Sequence, residues 1–304
     1  MKRLIVAVAG LCLVAAAFAA WTIAAPTHGS KVETGAAPAA KLPPLPAAVK
    51  SRGRWQIGVK CDFPPFGYIN AQGKKAGYDV EVAKAFARYA FGRASRVSYV
   101  CVTTPSRIPT LQSKRVDIII STLTYTKARA EVIDFSLPYY GATGRLLVPN
   151  SSNITRLNQL SGKTVATTRG SIYDRWLKNC FKNTKVVLTD TTSASLLALK
   201  DRRADAFMFD DAFLVGVAAN DKDSKLTSNK FLDIPWGIGI RKNEPDMRAW
   251  VNSRVKLMKK QDRFWAIMKR TIPRRFYKTF KDNVPRPRNT LRYPTGPDPE
   301  TICP

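Results

Sequence analysis

The sequence predicts an α/β protein made of two lobes, each built around a parallel sheet. A β-α-β-α-β pattern of short apolar strands and amphipathic helices occupies residues 55–120, and the same pattern recurs over residues 163–209. Two extended stretches without helical periodicity, residues 135–149 and 231–241, lie on either side of the second unit. This arrangement is expected when a chain leaves the first lobe, builds the second and returns.

The spacing of apolar residues defines the elements of each unit. In the first unit, Val82, Phe86 and Tyr89 stand at helical spacing. In the second, Ser171 followed by Asp174 resembles a capping box at the start of a helix. Right-handed crossovers would make each unit a parallel sheet covered by helices. The predicted strands are 55–60, 96–102, 116–120, 163–167, 185–189 and 205–209, and the predicted helices are 79–91, 106–113, 171–181 and 193–203.

The later part of the chain is basic and helical, and then irregular. Residues 244–281 are expected to pack on the first lobe through one apolar face, formed by Met247, Trp250, Val251, Val255 and Met258. The sequence thus predicts five segments after the first 25 residues: a linker at 26–50, lobe 1 at 51–141 and 237–281, lobe 2 at 142–236, and an irregular basic tail at 282–304.

The first 25 residues are predicted to form a signal peptide or a membrane anchor. Lys2 and Arg3 precede an apolar run at residues 4–19, which ends in the A-x-A site at 17–19 and is typical of a secretory signal peptide. Apolar character continues to residue 25 and approaches membrane-spanning length, so a retained anchor stays open. Both alternatives predict a periplasmic protein, and the Ala/Pro-rich residues 26–50 would be a flexible linker.

The charge is strongly positive. Fifty Lys and Arg against 22 Asp and Glu leave a net charge of +28, which attracts polyanions. Because an exported protein does not meet the genome, we expect no nucleic-acid partner, and contact with an anionic membrane or envelope stays open. The single histidine, His28, lies in the linker, so no zinc site or His-based triad can be assembled. We expect neither a metal nor a cofactor.

Four cysteines remain after the signal, an even number that suits an oxidising compartment. Cys61 and Cys101 lie near the ends of the first two predicted strands. Neighbouring strands are about 5 Å apart, which suits a disulfide. The remaining pair, Cys180 with Cys303, would then attach the tail to the second lobe.

Polar residues follow the predicted strands. In open parallel sheets, ligands lie beyond the carboxyl ends of the strands, where helix N-termini expose N–H groups. Cations, hydroxyls and a carboxylate in these positions suit a zwitterion. Each also has a structural explanation: Ser171 caps its helix, Arg129 could form a surface ion pair, and Asp210 could cap a helix. The candidate residues are Lys60, Phe63, Arg107, Ser121, Thr122, Thr124, Arg129, Ser171, Ile172 and Asp210.

Several motifs resemble the family 3 bacterial extracellular solute-binding proteins of polar amino-acid ABC importers. They are residues 58–68, Gly77-Tyr78-Asp79-Val80, Arg107-Ile108-Pro109, residues 116–124 with Arg129, Ile133-Asp134-Phe135-Ser136, Pro138-Tyr139-Tyr140 and Leu160-Ser161-Gly162-Lys163. The resemblance runs from about residue 54 to residue 258. It implies the type II periplasmic binding fold, with two lobes joined by two crossover strands. It also implies a monomer that binds a ligand in the cleft and delivers it to the membrane subunits of an importer.

The resemblance also implies roles for the candidate residues. Thr124 and Arg129 would hold the α-carboxylate, helped by the backbone at 121–122 and 171–172. Asp210 would hold the α-ammonium, and Phe63 would form an aromatic wall. The match is closest to aspartate/glutamate binders, which similarly have cations where Lys60 and Arg107 stand, so the expected ligand is glutamate or aspartate. The basic tail is not a family feature, and Thr122, Thr124 and Ser171-Ile172 depart from the usual residues.

Two other functions stay open. An enzyme on the same fold, similar to the periplasmic cyclohexadienyl dehydratases, would need a positioned acid, for which Asp62 is the one unassigned candidate. A basic envelope-binding protein would act through the Lys, Arg and aromatic residues of the tail. We expect a binding protein and not an enzyme.

Overall fold

The structure is a computed structural model that describes residues 42–304. The predicted signal or anchor at 1–25 and linker residues 26–41 lie outside the described residues. Within the rest of the predicted linker, helix α1 (Ala47–Arg52) begins and buries Val49. Gly53, at φ +69°, ends this helix in a left-handed C-cap, a conformation that glycine adopts without strain. The chain is therefore helical from Ala47, and the structure differs from the predicted linker there.

Lobe 1 is built on a five-stranded sheet and a small antiparallel sheet. Its elements are β1 (Trp55–Val59), β2 (Asp62–Phe63), β3 (Gly67–Ile69), β4 (Lys75–Ala76), α2 (Tyr78–Phe91), β5 (Val97–Cys101), α3 (Arg107–Gln112), β6 (Ile118–Ile119), α4 (Lys127–Val132) and β7 (Ile133–Phe135). In the larger sheet β1 runs parallel to both β5 and β6, as the first β-α-β-α-β unit predicts. Strands β2 to β4, which the sequence analysis did not identify, form the small sheet beside it.

Lobe 2 has the same three-stranded parallel group as lobe 1: its central strand β9 runs parallel to β10 and β11. The fully buried Val165, Ala166 and Phe207 make the interior of this parallel group. The elements of lobe 2 are β8 (Thr143–Pro149), β9 (Thr164–Thr168), α5 (Ile172–Cys180), β10 (Lys185–Thr189), α6 (Thr192–Lys200), β11 (Ala206–Asp210), α7 (Asp211–Ala218), β12 (Ser224–Leu226) and β13 (Phe231–Asp233).

Antiparallel strands extend both parallel groups, so the sheets are mixed and not purely parallel. Strand β8, which carries the chain into lobe 2, runs antiparallel to β11. Strand β14 (Gly239–Arg241), which brings it back, runs antiparallel to β6 and β7. Both strands that enter a sheet from the other lobe thus run opposite in direction to the β-α-β strands with which they pair. The two connections contact each other where Trp236 stacks on Tyr140, with ring centroids 4.5 Å apart.

The C-terminal helices cover lobe 1. Helix α8 (Pro245–Lys260) is followed by α9 (Arg263–Thr271) and α10 (Tyr277–Phe280). The apolar face of α8 that the sequence predicts is buried, and Trp250 lies 5.1 Å from Trp55 between ring centroids. No helix within residues 42–304 is both long and apolar enough to cross a bilayer.

Two disulfides link cysteines in the described chain. Cys61–Cys101 joins residues just beyond and at the ends of β1 and β5, with 5.5 Å between Cα atoms. Cys180–Cys303 joins the end of α5 to the tail, with 5.1 Å between Cα atoms. Both predicted pairings are therefore present.

Candidate functional site

A small cavity lies between the lobes at the carboxyl ends of both parallel groups. Lobe 1 and lobe 2 each contribute part of its wall. The residues that line it are Thr104, Arg107, Thr122, Thr124, Ser171, Ile172, Tyr173, Phe209 and Asp210. Six of them are candidates from the sequence. A larger, open groove elsewhere is lined by residues of lobe 2 alone, between 149 and 224, and does not bring the two lobes together.

The turn after β6 forms the lobe 1 wall. Thr122 has φ +50° and its N–H donates to Asp79 Oδ2 and to the Tyr139 hydroxyl, each at 3.1 Å. Arg107 Nη1 donates to the carbonyls of Ser121 and Thr122 at 2.9 and 3.0 Å. Burial raises the pKa of Asp79 to about 7. Asp79 and Arg107 therefore fix this turn, one through its N–H and the other through its carbonyls. The buried Ser121 hydroxyl has no hydrogen-bond partner within residues 42–304.

Arg129 connects the two lobes. Its backbone N–H donates to the Thr126 hydroxyl at 3.1 Å, which caps α4. Its buried guanidinium donates from Nη1 to Thr124 O at 2.7 Å and from Nη2 to Gly170 O at 2.9 Å, and the second bond crosses the cleft. Burial, together with neighbouring Arg107 and Arg175, holds the pKa of Arg129 well below its usual range. Arg129 is thus a buried cation and not a surface ion pair; two bonds leave other guanidinium N–H groups available.

The lobe 2 wall combines a helix N-terminus and a carboxylate. Ser171 caps α5 by accepting from Asp174 N at 3.2 Å, which confirms its predicted capping role. Asp210 ends β11 and accepts from the Tyr173 hydroxyl at 2.8 Å, but its side chain makes no capping bond to α7. Burial raises the pKa of Asp210 to about 7. The Tyr173 hydroxyl occupies only one acceptor position, so the ionised carboxylate can also accept from a positively charged group.

Lys60 is buried beside the cavity and is already paired. Its Nζ donates to Thr104 Oγ1 at 3.2 Å and lies 3.1 Å from Asp62 Oδ1. Burial lowers the pKa of Lys60, and Asp62 opposes that shift. The other oxygen of Asp62 accepts from Thr192 N of lobe 2 at 2.8 Å. Both Asp62 oxygens act as acceptors, which weakens the enzyme alternative that required Asp62 as a proton donor.

Phe63 lies one layer behind the cavity and not on its wall. It is fully buried in an aromatic cluster with Phe66, Phe213 and Trp236, and its ring centroid is 5.7 Å from that of the cavity residue Phe209. The aromatic side of the cavity is instead Tyr173 and Phe209, neither of which the sequence analysis identified. Thr104 was also missed, although its position after β5 follows the same rule of strand carboxyl ends.

The arrangement suits a ligand with two opposite charges. Arg107 and Arg129 lie on the lobe 1 side and Asp210 on the lobe 2 side, and all three are buried. Asp210 lies near enough to both arginines for its charge to favour their protonated forms. A buried carboxylate requires a partner, and a buried guanidinium requires acceptors, so a bound zwitterion would satisfy both. Within residues 42–304, no cluster of three or more His, Cys, Asp or Glu residues could hold a metal ion.

Comparisons with known proteins identify the relatives of this chain. Residues 55–273 match the family of bacterial extracellular solute-binding proteins, family 3. The ABC transporter glutamine-binding protein GlnH of Bacillus subtilis (strain 168) is 32% identical over 246 residues, which cover 80% of this chain and 90% of that protein. The L-glutamate/L-aspartate-binding protein of Pseudomonas aeruginosa is 32% identical over 183 residues, covering 57% of this chain and 61% of that protein.

A solved structure shows the same likeness in three dimensions. The solute receptors for L-cysteine of Neisseria gonorrhoeae superimpose with a TM-score of 0.74 and 31% identity, and the match covers 77% of this chain and 95% of that one. The three relatives are named for different amino acids.

Proposed function

Because the chain belongs to the family 3 bacterial extracellular solute-binding proteins, we propose that it captures one polar L-amino acid between its lobes and delivers it to the membrane subunits of an ABC importer. One observation carries this proposal: the buried cation Arg107 and the buried carboxylate of Asp210, from opposite lobes, line a single cavity. Arg129 and the α5 N-terminus are suited to the α-carboxylate, and Asp210 is suited to the α-ammonium. We propose that the protein works as a monomer outside the cytoplasm, where its two disulfides are stable.

We further propose that the ligand side chain is acidic, so that glutamate or aspartate is preferred. Arg107 lines the cavity, and its charge acts on Lys60 close by. Arg107 would offer a side-chain carboxylate a charge-assisted hydrogen bond in a desolvated site. The pairing of Lys60 with Asp62 reduces the positive charge available, which makes glutamine the principal competitor.

Titration calorimetry of the refolded, ligand-stripped protein against the proteinogenic amino acids tests both proposals. Stripping is necessary because a copurified ligand stabilises the folded state and masks binding. Tight binding of glutamate or aspartate supports the acidic assignment. Tighter binding of glutamine or a basic amino acid overturns that assignment but keeps the transport function, whereas no binding of any amino acid overturns the function itself.

A basic segment at residues 269–281 supports a second role, contact with an anionic surface of the cell envelope. Between residues 269 and 281 six cationic side chains are exposed and no acidic residue intervenes: Lys269, Arg270, Arg274, Arg275, Lys278 and Lys281. Their attraction to anionic lipid would fall steeply with salt. Vesicles containing phosphatidylglycerol test this role. Neutralising Arg274 and Arg275 together should weaken sedimentation with these vesicles, and binding that is unaffected by salt or by this change would exclude it.

A further inference from the structure

Residues 291–303 run from lobe 1 to lobe 2 across the connections between them; we call this segment the strap. At its start the ring of Tyr293 stacks on Tyr125, with centroids 4.2 Å apart, and its hydroxyl donates to Ser136 O at 2.7 Å. Gly237 lies directly beneath, since a Cβ there would stand 2.0 Å from that hydroxyl. The strap is therefore packed against the returning connection and is not a free tail.

The strap is attached to lobe 1 through Asp298. Its two carboxylate oxygens accept from the backbone N–H groups of Lys127 and Ala128, at 2.6 and 3.2 Å. These groups begin α4, the helix that carries Arg129. A carboxylate at a helix N-terminus satisfies exposed donors and interacts favourably with the helix dipole. The strap thus contacts the same short helix that supplies the interlobe guanidinium.

Two residues later the strap is attached to lobe 2. Glu300 is buried and accepts from Arg175 Nε at 2.8 Å, while its carbonyl accepts from Asn179 at 3.1 Å. Trp176 Nε1 donates to Ile302 O at 2.8 Å, and Cys303 is bonded covalently to Cys180. All four lobe 2 partners lie on α5, the helix whose N-terminus lines the cavity.

The spacing of these attachments couples the strap to cleft opening. Residues 298 and 300 can be no more than roughly 7 Å apart even in a fully extended chain. One is bound to α4 and the other to α5, and these helices carry the facing residues Arg129 and Ser171 of the cleft. Opening that separates the two helices by more than a few ångströms must therefore break one attachment. The disulfide fixes only residue 303, so opening must release either Asp298 or the hydrogen bonds of residues 300–302. Asp298 is partly exposed whereas Glu300 is buried and ion-paired, so Asp298 is the contact that we expect to release first.

We propose that the strap is a latch: it favours the closed arrangement of the lobes and slows ligand release, with Asp298 as the contact that opens. The effect on ligand release rests on the proposed function, but the effect on the lobes does not. Glu300 has a second consequence for the site. Arg175 adds positive charge near Arg107 and Arg129, and Glu300 compensates that charge. The strap thereby also places a negative charge, that of Glu300, near the arginines proposed to hold the ligand α-carboxylate.

Asp298→Ala tests the latch in the full-length, ligand-stripped protein. Small-angle X-ray scattering should show a larger radius of gyration than for the wild type, because α4 is no longer tied to α5. Asp282→Ala is the matched control, since Asp282 is an exposed acid in the same tail whose side chain contacts neither helix. It should scatter as the wild type does. Cys180→Ser with Cys303→Ser removes only the covalent part of the lobe 2 attachment, so it should open the lobes less than Asp298→Ala does.

Stopped-flow release of the bound amino acid provides the second measurement. Asp298→Ala should release it about tenfold faster, the factor that corresponds to roughly 1.4 kcal/mol for a lost charge-assisted contact. If Asp298→Ala folds and both its scattering and its release rate match the Asp282→Ala control, the latch is wrong. If no amino acid binds, the proposed function fails, while the scattering comparison still decides the latch.

Discussion

Replacing Arg129 with alanine is expected to weaken amino-acid binding about a thousandfold. The guanidinium makes two bonds with different consequences. The bond to Thr124 O lies within lobe 1 and is present whether the cleft is open or closed, so its loss cancels from the binding free energy. The bond to Gly170 O forms only when the lobes meet, so its loss of about 1 kcal/mol weakens closure and therefore binding.

The lost contact with the ligand carboxylate accounts for the larger part of the expected loss in binding free energy. Removing one partner of a buried charge pair costs roughly 3 kcal/mol or more, because the remaining charge stays desolvated. The two contributions sum to about 4 kcal/mol, which corresponds to the thousandfold loss. The affinity of Arg129→Lys should lie between those of the wild type and Arg129→Ala, since lysine keeps the charge but donates from a single nitrogen and lacks the planar fork that reaches both lobes.

Titration calorimetry on refolded, stripped protein measures the change, and thermal unfolding shows whether the variant folds. Arg169→Ala is a suitable control, because Arg169 follows β9 in the same loop as Gly170 but forms an exposed ion pair with Asp190. This control should bind normally. A loss of only about fivefold in Arg129→Ala would match the interlobe bond alone. In that case Arg129 serves closure, and another group holds the carboxylate.

Three further predictions concern charge and covalent structure. Burial raises the pKa of Asp210 to about 7, and a ligand ammonium requires the ionised form of this carboxylate. Below pH 7, affinity should therefore fall by up to about tenfold per pH unit, and binding should release a proton. Calorimetry in buffers of different ionisation enthalpy detects the proton release, and Asp210→Asn should bind weakly and without it. The double variant Lys60→Gln with Arg107→Gln should remain folded and bind glutamate and aspartate about a hundredfold more weakly. Unchanged binding of both acids in calorimetry would show that these two cations do not contact the ligand side chain. Cys61→Ser with Cys101→Ser opens a loop with a sequence separation of 40 and should lower the free energy of unfolding by about 4 kcal/mol; a urea midpoint equal to that of the wild type would contradict this estimate.

The parallel parts of the fold were predictable because their signal is local. Apolar runs and helical spacing predict β1, α2 and β5 within a few residues, and the predicted type II periplasmic binding fold is confirmed by the solved relatives. Strands β2 to β4 were not predicted because they are two or three residues long and carry no periodicity. The antiparallel additions depend on which lobe each connection joins, and no local pattern encodes that choice.

The site was predictable as a set of positions but not as a set of contacts. Counting polar residues after each strand finds Arg107, Thr122 and Asp210, which do line one cavity. It does not find that Lys60 is already paired with Asp62, because that depends on how the turn after β1 folds back. The tail was predicted as irregular, and its backbone largely is. Its order comes from long-range partners such as Arg175 and Cys180, which periodicity cannot reveal.

The connectivity of the two disulfides has a consequence for the order of folding. Along the described chain the cysteines pair as first with second and third with fourth, so the two covalent loops neither overlap nor interleave. Four cysteines allow three connectivities, and this one results when an oxidant joins thiols in the order in which they emerge from a ribosome or translocon. Cys61 and Cys101 can pair while lobe 2 is still being made. Cys180 must wait for Cys303, so the second bridge can form only after residues 181–303 have emerged.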